Sequence, residues 1–477
     1  QLIQGGITVG LGGSAGLESP IAVTGAAVGS NYARIYRMNY KDRTLLLAAG
    51  SAAGIAAAFD APIAGVMFSV EVLLTGVVFS DFIPLIVAAA CGALMSRIFL
   101  GEDLTLHFKL QEAFSYYNVP LYIVMGIVAG YYSRYYAVIA HQIDLFLQRY
   151  FKGKLRKGLF AGLVLATLCF LFPPLFGEGY TAVKTLVDGS GATLMQTGLF
   201  SGFTENSWII LAFVGLVGLF KVFATTFTIA GGGNGGNFAP SLVAGAFMGY
   251  FFALVCQMIG ITDVPIANMA IVGMAGAMSG ILYAPLTSIF LIAEVTGGYN
   301  LFIPLMIVST ASYVIVRYFS PYSIDKKKLV DSGKIFGKKT DRNLLSLLNA
   351  KDIIEKDILI INPNATLADL VELVKVSHRN MFGVVNDEKE LEGIIMLDDI
   401  RNIMFKESLY ESIKVRQLMK SPPASIDIRT PMRQVMEKFD ETQAWNLPVV
   451  DEKKFLGFIS KSTLLQNYRE ILLAYSS

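Results

Sequence analysis

The sequence predicts an all-α polytopic membrane protein followed by a smaller soluble α/β region. Hydrophobic residues make up 54% of the 477 residues and charged residues only 16%, and the mean hydropathy is +0.54. This composition is too apolar for a soluble protein of this length. Apolar segments recur as far as Phe319, and the composition becomes polar and charged soon after Tyr322. The chain therefore divides into a membrane domain and a soluble tail.

The apolar segments of the membrane domain differ in length. A helix needs about 20 residues to cross the hydrocarbon core, and several segments are shorter than that or end at Gly or Pro. We therefore expect tilted and half-spanning helices whose ends are buried in protein. The segments run over 44–58, 62–78, 82–100, 121–139, 159–172, 208–228, 240–259, 268–282, 285–295 and 302–318.

An internal repeat relates the two halves of this domain. The run from Ala61-Pro62 to Glu71-Val72 resembles the run from Ala284-Pro285 to Glu294-Val295. The tetrapeptide Phe-Ile-Pro-Leu occurs at 82–85 and again at 302–305, so the offset is about 220 residues. Two matching halves with interrupted helices predict a transporter-like site at the interface between the repeats. The pattern itself leaves parallel and inverted arrangements of the halves open.

One carboxylate lies in a glycine-rich stretch between two apolar runs. Residues 12–20 read Gly-Gly-Ser-Ala-Gly-Leu-Glu-Ser-Pro and contain Glu18. An ionisable side chain at membrane depth is costly and indicates a functional site. The glycines permit a sharp turn, and Pro20 suits the first turn of a helix, whose free N–H groups attract anions. Glu18 is therefore either a tethered anion or an N-cap acid on an interfacial helix.

A second glycine-rich loop lies in the other half of the repeat. Residues 231–236 match G-x-G-x-x-G, but no acid follows about 20 residues later, as a dinucleotide site would require. The sequence instead favours a second anion-facing helix start at Gly236-Asn237-Phe238-Ala239-Pro240. Neither glycine loop is followed by Gly-Lys-Ser/Thr, which excludes a P-loop.

Other residues give no sign of catalysis or metal binding. His107, His141 and His378 are isolated, and Cys91, Cys169 and Cys256 are scattered in apolar runs. The acids of the apolar region are dispersed rather than paired as a hydrolase needs. The sequence therefore predicts neither an enzyme nor a metal centre.

The soluble tail begins with a basic linker. Lys326, Lys327 and Lys328 open the linker, which we place at 325–348, and the positive-inside tendency predicts that it is cytoplasmic. Two similar units follow over 349–407 and 408–477, each with an amphipathic helix, two strands and a closing helix. Neither unit has a large core, so the two are expected to pack as a pair.

Several of these motifs together resemble the CLC chloride channel and transporter family. The resemblance rests on Gly16-Leu17-Glu18-Ser19-Pro20, the Ala-rich stretch 48–61 before Pro62, Gly236-Asn237-Phe238-Ala239-Pro240, and Tyr322. The tail resembles a pair of CBS domains. The resemblance implies a CLC fold with an inverted repeat over residues 1–324, with the first helices upstream of residue 1. It also implies a homodimer in lipid that conducts chloride or a similar anion and binds no nucleic acid.

The resemblance assigns roles to particular residues. Glu18 matches the gating glutamate, and the anion-binding positions match Gly16, Leu17, Ser19, Asn237, Phe238, Ala239 and Tyr322. The family more often has a basic residue before the glutamate and Gly after it, where this chain has Leu17 and Ser19. A missing cation would weaken attraction of an anion at the outer site. The serine loop for the central anion is expected upstream of residue 1, so selectivity among chloride, nitrate and fluoride stays open.

A further departure bears on mechanism. Proton-coupled members usually carry a second, inner glutamate at the position of Val72, and valine cannot relay a proton. The sequence therefore favours a voltage- or pH-gated chloride channel. The alternatives are a Cl⁻/H⁺ exchanger of the same family, a channel for another anion such as nitrate or fluoride, and a membrane-anchored nucleotide-sensing regulatory protein.

The two CBS-like units keep only half of a nucleotide-binding pattern each. Such units usually present Gly-x-x-Ser/Thr followed three residues later by an acid. The first unit has Met396 and Asp399 at these positions, and the second has Ser460 and Thr463. No cofactor is required for anion permeation, and the pattern leaves adenine-nucleotide binding and a purely structural dimerisation module open.

Overall fold

The computed structural model describes the chain over residues 1–74, 78–101, 114–196, 198–261, 263–331, 348–355 and 359–476. The chain forms two compact units, residues 1–328 and residues 329–477. His107 and most of the predicted basic linker, residues 332–347, lie outside the described residues.

The first half of the membrane domain is built from helices of unequal length. Helix α3 is capped at its start by the Asn39 side chain, which accepts a hydrogen bond from the Asp42 amide at 2.7 Å. Helix α4 starts at a proline and continues as a π-helical turn over Ser69–Leu73. The helices are α1 (Leu2–Gly10), α2 (Glu18–Ile35), α3 (Tyr40–Phe59), α4 (Pro62–Phe68) and α5 (Phe82–Leu100).

Three helices connect the halves, and the second half then repeats the first. The connecting helices are α6 (Val119–Tyr150), α7 (Lys154–Leu171) and α8 (Tyr180–Val187). The second half contains α9 (Ser207–Gly231), α10 (Phe238–Met258), α11 (Ile266–Leu282), α12 (Pro285–Val295), α13 (Phe302–Phe319) and α14 (Ile324–Asp331). The short helix α8 has no counterpart among the predicted apolar segments.

The helix lengths confirm the prediction of spanning and half-spanning elements. In the described part of the chain, the helical stretches 79–99, 116–150, 207–231, 238–258 and 302–327 are long and apolar enough to cross a membrane. The apolar stretches 62–73, 266–282 and 285–295 are shorter. Because an unpaired helix end is costly in hydrocarbon, the ends of these short helices need partners within the protein.

Reciprocal hydrogen bonds relate the two halves. The Asn234 amide donates to Thr8 Oγ1 at 3.1 Å, and the Ser14 amide donates to Thr228 Oγ1 at 3.1 Å. Each threonine lies near the C-terminal end of one half's helix and receives the amide of the other half's loop. Contacts that occur twice with the partners exchanged are the mark of an approximate two-fold axis. The sequence repeat is therefore also a structural repeat.

The short helices α4 and α12 are capped in the same reciprocal way. The Glu71 carboxylate accepts from the Leu286 amide at 2.8 Å and from the Thr287 amide and hydroxyl at 2.8 and 2.7 Å. The Glu294 carboxylate accepts from the Ile63 amide at 3.0 Å and the Ala64 amide at 2.8 Å. Each acid thereby satisfies free N–H groups at the start of the other half's helix.

The unit formed by residues 329–477 contains two small sheets of the same topology. Strands β1 (Ile360–Ile361), β2 (Met381–Val385) and β3 (Leu391–Met396) form one sheet, and β4 (Ile426–Asp427), β5 (Asn446–Asp451) and β6 (Lys454–Ser460) form the other. In each sheet the first pair is parallel and the second antiparallel. The helices are α15 (Ala350–Ile353), α16 (Leu367–Val376), α17 (Leu397–Ile400), α18 (Val415–Leu418), α19 (Met432–Thr442) and α20 (Lys461–Ser476).

The two sheets meet at their hairpins. The Phe455 amide donates to the Lys389 carbonyl at 2.9 Å, and the Leu391 amide donates to the Lys453 carbonyl at 3.3 Å. This pairing confirms the prediction that the two small units pack together.

Candidate anion site

The Glu18 carboxylate is buried at the first turn of α2. Its side chain is only 3% exposed, and the Tyr180 hydroxyl donates a hydrogen bond to Oε1. The other oxygen, Oε2, is buried without a hydrogen-bond partner in the described structure, although the Ala239 amide lies nearby. A buried carboxylate with one free oxygen is costly unless nearby dipoles stabilise it.

Two helix N-termini supply those dipoles. The amides and carbonyls of Gly16 and Gly236 bond each other at 3.0 Å, so the loops before α2 and α10 run side by side. A Cβ on Gly16 would lie 2.9 Å from Ala239 Cβ, and one on Gly236 would overlap the Ser19 side chain. Glycine at both positions therefore lets two helix starts approach closely, and their free amides and positive dipole ends converge on Glu18.

An aromatic cluster surrounds this point. Phe238, the first residue of α10, stacks on Phe59 at 5.3 Å between ring centroids and meets Phe68 edge-on at 6.1 Å. Phe59 also contacts the Tyr180 ring at 6.5 Å. These four rings come from the ends or starts of α3, α4, α8 and α10. They limit access of water to the carboxylate, which strengthens its electrostatic interactions.

A cavity of about 500 Å³ opens on the side of Glu178 and Tyr180. Both of these residues contact the start of α2. The Tyr180 hydroxyl donates to Glu18, and Glu178 Oε1 accepts from the Leu17 amide at 3.2 Å. Its lining comprises Val9, Pro173, Pro174, Phe176, Glu178, Gly179, Tyr180, Thr181, Ala182, Thr185, Thr193 and Leu194. The cavity therefore extends to protein groups that contact the start of α2.

A buried cation contacts the loop that contains Gly177 and Glu178. Lys221 of α9 is fully buried, and its Nζ donates to the Gly177 carbonyl at 3.3 Å and the Glu178 carbonyl at 3.1 Å. Leu17 stands where the family more often has a basic residue, whereas the cation Lys221 lies on α9 and contacts the loop that contains Glu178.

The sequence reasoning missed Glu178, Tyr180 and Lys221. A signal existed for Lys221, because it is a lone charge within the 25-residue apolar helix α9. The same argument had identified Glu18. Glu178 and Tyr180 lie in the short sequence Gly-Glu-Gly-Tyr at residues 177–180, and this sequence by itself indicates only a turn.

The remaining predicted anion-binding residues lie near the start of α10 or after α13. Asn237 precedes α10, and its Oδ1 accepts from the Tyr136 hydroxyl at 3.3 Å. Tyr322 follows α13 and is half-buried, and its carbonyl accepts from the Ser320 hydroxyl at 2.9 Å. Among the described residues, Tyr322 makes no ring contact or hydrogen bond with Phe238. The structure therefore brings Gly16, Leu17, Ser19, Asn237, Phe238 and Ala239 together around Glu18, with Tyr322 outside this group.

Val72 lies on the π-helical turn after α4, beside Glu71. Turns of this type often occur at functional sites. The Glu71 carboxylate is engaged by α12, as described above, and Val72 is half-buried. The position therefore carries no free acid.

The nucleotide candidates of the tail are already engaged by protein groups. Asp399 Oδ1 pairs with Lys420 Nζ at 2.7 Å. The Ser460 and Thr463 hydroxyls both donate to Glu355 Oε1, at 2.8 and 2.7 Å. Both hydroxyls are thereby held by the Glu355 carboxylate. A separate cleft of about 510 Å³ is lined by residues of both CBS-like units, including Asp398, Arg401 and Trp445.

Comparison with known proteins identifies relatives of both regions of the chain. The family described as voltage gated chloride channel matches residues 1–317, and the CBS domain family matches residues 350–406 and 415–470. The H⁺/Cl⁻ exchange transporter ClcA of Vibrio cholerae is 29% identical over 320 residues, covering 65% of this chain and 64% of the relative. The chloride channel protein CLC-f of Arabidopsis thaliana is 25% identical over 462 residues, covering 85% of this chain and 57% of the relative. The chain thus spans less than two thirds of the length of these relatives.

Solved structures with the same fold include three CLC proteins. A slow cyanobacterial Cl⁻/H⁺ antiporter has a TM-score of 0.59 at 23% identity, over 68% of this chain and 73% of the other. A CLC-type fluoride/proton antiporter has a TM-score of 0.55 at 24% identity, over 68% and 74%. A eukaryotic CLC transporter has a TM-score of 0.51 at 16% identity, over 94% and 77%. The chain therefore belongs to the CLC family of channels and transporters rather than enzymes, as a multi-pass membrane protein with cytoplasmic CBS domains.

Proposed function

We propose that this protein exchanges chloride or a similar anion for protons across a membrane, with Glu18 as the gate. The observation that carries the proposal is the buried Glu18 carboxylate at the meeting point of two helix N-termini, one from each half. The names of the Vibrio cholerae relative and of two structural neighbours, an exchange transporter and two antiporters, support exchange over a channel.

The geometry supports a competition between Glu18 and a free anion. The ionised carboxylate lies where the amides and dipole ends of α2 and α10 would stabilise an anion. Protonation removes this charge, and the side chain then gains little from staying at the amides. An anion that enters from the cavity can replace it, and it leaves when the carboxylate ionises and returns. Because the two compete for the same amides, anion binding and protonation of Glu18 favour each other.

The anion-binding groups we propose are backbone amides and one hydroxyl. The amides belong to Leu17, Ser19, Asn237, Phe238 and Ala239, and the hydroxyl to Tyr322. Gly16 contributes through its close approach to Ala239, because its own amide donates to the Gly236 carbonyl. We also propose the homodimer, with one pathway per chain, on the basis of family membership. In the tail, the engagement of Ser460 and Thr463 by Glu355 favours a structural CBS pair over nucleotide binding at those residues.

A second candidate is a gated anion channel, and Val72 is the observation that favours it. A proton that leaves Glu18 toward the other side of the membrane needs an acceptor, and valine offers none. The neighbouring Glu71 is held by Leu286 and Thr287. In a channel, protonation of Glu18 would open the pathway without net proton transfer.

Flux through purified protein in liposomes separates these candidates. Under an outward chloride gradient we expect chloride efflux accompanied by proton uptake. Chloride efflux without proton movement would favour the channel, and the absence of both would overturn the proposal. Glu18→Gln mimics the protonated gate, so it should retain chloride efflux, lose proton uptake and become insensitive to pH. The exposed Glu205→Gln serves as the matched control and should behave as wild type. Wild-type coupling in Glu18→Gln would overturn the assignment of the gate.

A further inference from the structure

We infer that Glu178 is a second tethered anion of this pathway, which holds the Leu17 amide until a permeating anion displaces it. The inference rests on the proposed function, because it concerns the approach to the same site.

The first step is the contact at the start of α2. Glu178 Oε1 accepts from the Leu17 amide at 3.2 Å. Leu17 directly precedes Glu18, and its amide is one of the free N–H groups at this helix N-terminus. The carboxylate therefore occupies an amide that would otherwise be available to a free anion.

The second step is the position of Glu178 relative to the cavity. Glu178 is half-buried and lines the cavity of about 500 Å³, whereas Glu18 is 3% exposed and lies behind Tyr180. An anion that approaches Glu18 from this cavity therefore meets Glu178 first. The buried Oε2 of Glu18 has no hydrogen-bond partner among the described residues, so the Tyr180 hydroxyl on Oε1 is the side-chain donor that holds this carboxylate at the inner end of the route.

The third step is the charge around the loop. Glu178 lies close enough to act electrostatically on both Glu18 and Lys221, and Lys221 also faces Cys169. With all three groups ionised, Glu178 interacts with one further carboxylate and one buried ammonium, so the three groups carry a net negative charge that repels a further anion. If the Glu178 carboxylate moves into the cavity, a free anion can take its place at the Leu17 amide above Lys221. The local charge is then unchanged, so the exchange avoids leaving the buried cation uncompensated.

A purely structural role for Glu178 is the alternative, in which the side chain only caps the Leu17 amide. Two substitutions separate the roles. Glu178→Gln keeps a carbonyl oxygen that can accept from the amide but removes the charge. Glu178→Ala removes both the acceptor and the charge.

The test measures chloride efflux from liposomes as a function of chloride concentration. We expect a half-saturating chloride concentration about tenfold lower in both variants, because a charge-assisted hydrogen bond is about twice as strong as a neutral one. Glu205→Gln should match wild type. A wild-type value in Glu178→Gln, whatever Glu178→Ala does, would overturn the inference. Loss of efflux in both variants at an unchanged melting temperature would also overturn it, since removing a competitor cannot abolish transport.

A second measurement keeps the inference testable if a variant transports poorly. An anion that binds only the folded protein stabilises it by an amount that grows with the ratio of the anion concentration to its dissociation constant. The melting temperature of Glu178→Gln in detergent should therefore rise at about tenfold lower chloride than that of wild type. Identical chloride dependence would overturn the inference. If wild-type protein shows chloride-dependent melting but no anion flux in liposomes, the proposed function fails while the binding role of Glu178 is still decided.

Discussion

The two glycine loops of the membrane domain have similar backbone geometry but differ in the residue that follows them. Both begin with a glycine at positive φ, Gly12 at +98° and Gly232 at +117°, and both donate an amide to a threonine of the other half. One loop leads to Glu18 and the other to Phe238. Both loops supply backbone amides to the candidate anion site. Only the first half supplies a side chain, that of Glu18, with the negative charge of an anion.

The surroundings of the two helix starts differ in the same sense. The Glu18 carboxylate is bonded by the Tyr180 hydroxyl beside an open cavity. Phe238 packs between Phe59 and Phe68, and α10 is buried over most of its length. A charged side chain beside a cavity can leave its site, while an aromatic side chain packed on two sides cannot. Under the proposed function, the first half of the repeat therefore supplies the movable side chain, and the second half supplies a fixed one.

The largest expected effect comes from filling the contact between the loops. In Gly236→Ala, the new Cβ overlaps the Ser19 side chain, and overpacking of this kind costs roughly 3 kcal/mol. The melting temperature in detergent should fall strongly. Adding Ser19→Gly should restore most of it, because the overlap is with the serine Oγ and Cβ. Gly16→Ala is the control, since its neighbours are Glu18 and Ala239 and Ser19→Gly should not rescue it. Equal rescue of both variants would contradict this geometry.

The next effect concerns the reciprocal acids. Glu71→Ala leaves three donors of α12 without an acceptor, and Glu294→Ala leaves two of α4. Each unsatisfied donor is expected to cost on the order of 1 kcal/mol or more. The melting temperatures of both variants should therefore be lower than that of wild type, and Glu71→Ala should have the lower melting temperature of the two. The two-fold description would be wrong if only one of these acids mattered.

A smaller effect separates the two tyrosines that contact the helix starts. Tyr180→Phe removes the hydrogen bond to the charged Glu18, which is worth about 1.5–3 kcal/mol, so chloride efflux at neutral pH should rise roughly ten- to a hundredfold. Tyr136→Phe is the matched control, because its hydroxyl makes a longer bond of 3.3 Å to the neutral Asn237. Its efflux should stay within about twofold of wild type. Similar changes in both variants would remove the distinction between a movable and a fixed half.

The smallest effect extends the comparison to the CBS domains. Helix α16 begins with a capping box between Thr366 and Asp369, whereas α19 follows Pro431 without a side-chain cap. Thr366→Ala should destabilise α16 by about 1 kcal/mol, and Thr430→Ala should have no measurable effect on α19. Hydrogen exchange of the first-turn amides in the full chain measures both. Equal exchange in wild type and Thr366→Ala would show that the cap contributes nothing.

The same capping box predicts a pH dependence. Hydrogen bonds from the Thr366 amide and hydroxyl lower the pKa of Asp369. A lowered pKa in the folded state stabilises the helix above the unfolded value of about 4, and this contribution is lost as pH falls through the folded value. The protection of α16 should therefore exceed that of Thr366→Ala at neutral pH, and the difference should shrink below about pH 4. A constant difference across this range would contradict the role of the carboxylate.

Much of the fold was predictable because it depends on local pattern. Each CBS-like unit was predicted to have an amphipathic helix and two strands, and the structure shows α16 with β2 and β3 in the first unit and α19 with β5 and β6 in the second. The short helices α4 and α12 were predicted from Pro62 and Pro285 at their starts and from apolar runs too short to span. The CLC resemblance was also predictable, since it rests on short motifs in a defined order.

The candidate site was only partly predictable. Glu18 was recognisable from the sequence as a charge between apolar runs. Phe238 was recognisable because it lies between a glycine-rich loop and a proline. The repeated acids Glu71 and Glu294 were visible as a repeat, but their function as caps for each other's half was not. That function depends on which helix start each acid faces after the halves have packed.

By itself, the sequence determined the membrane and soluble regions, the repeat and the position of the candidate gate, because hydropathy, proline and glycine act on neighbouring residues. Only the tertiary structure decided that Glu178, Tyr180 and Lys221 surround the start of α2. These residues are about 160 to 200 positions from Glu18 along the chain. Their proximity results from the packing of α8 and α9 against the two helix starts, which no local pattern encodes.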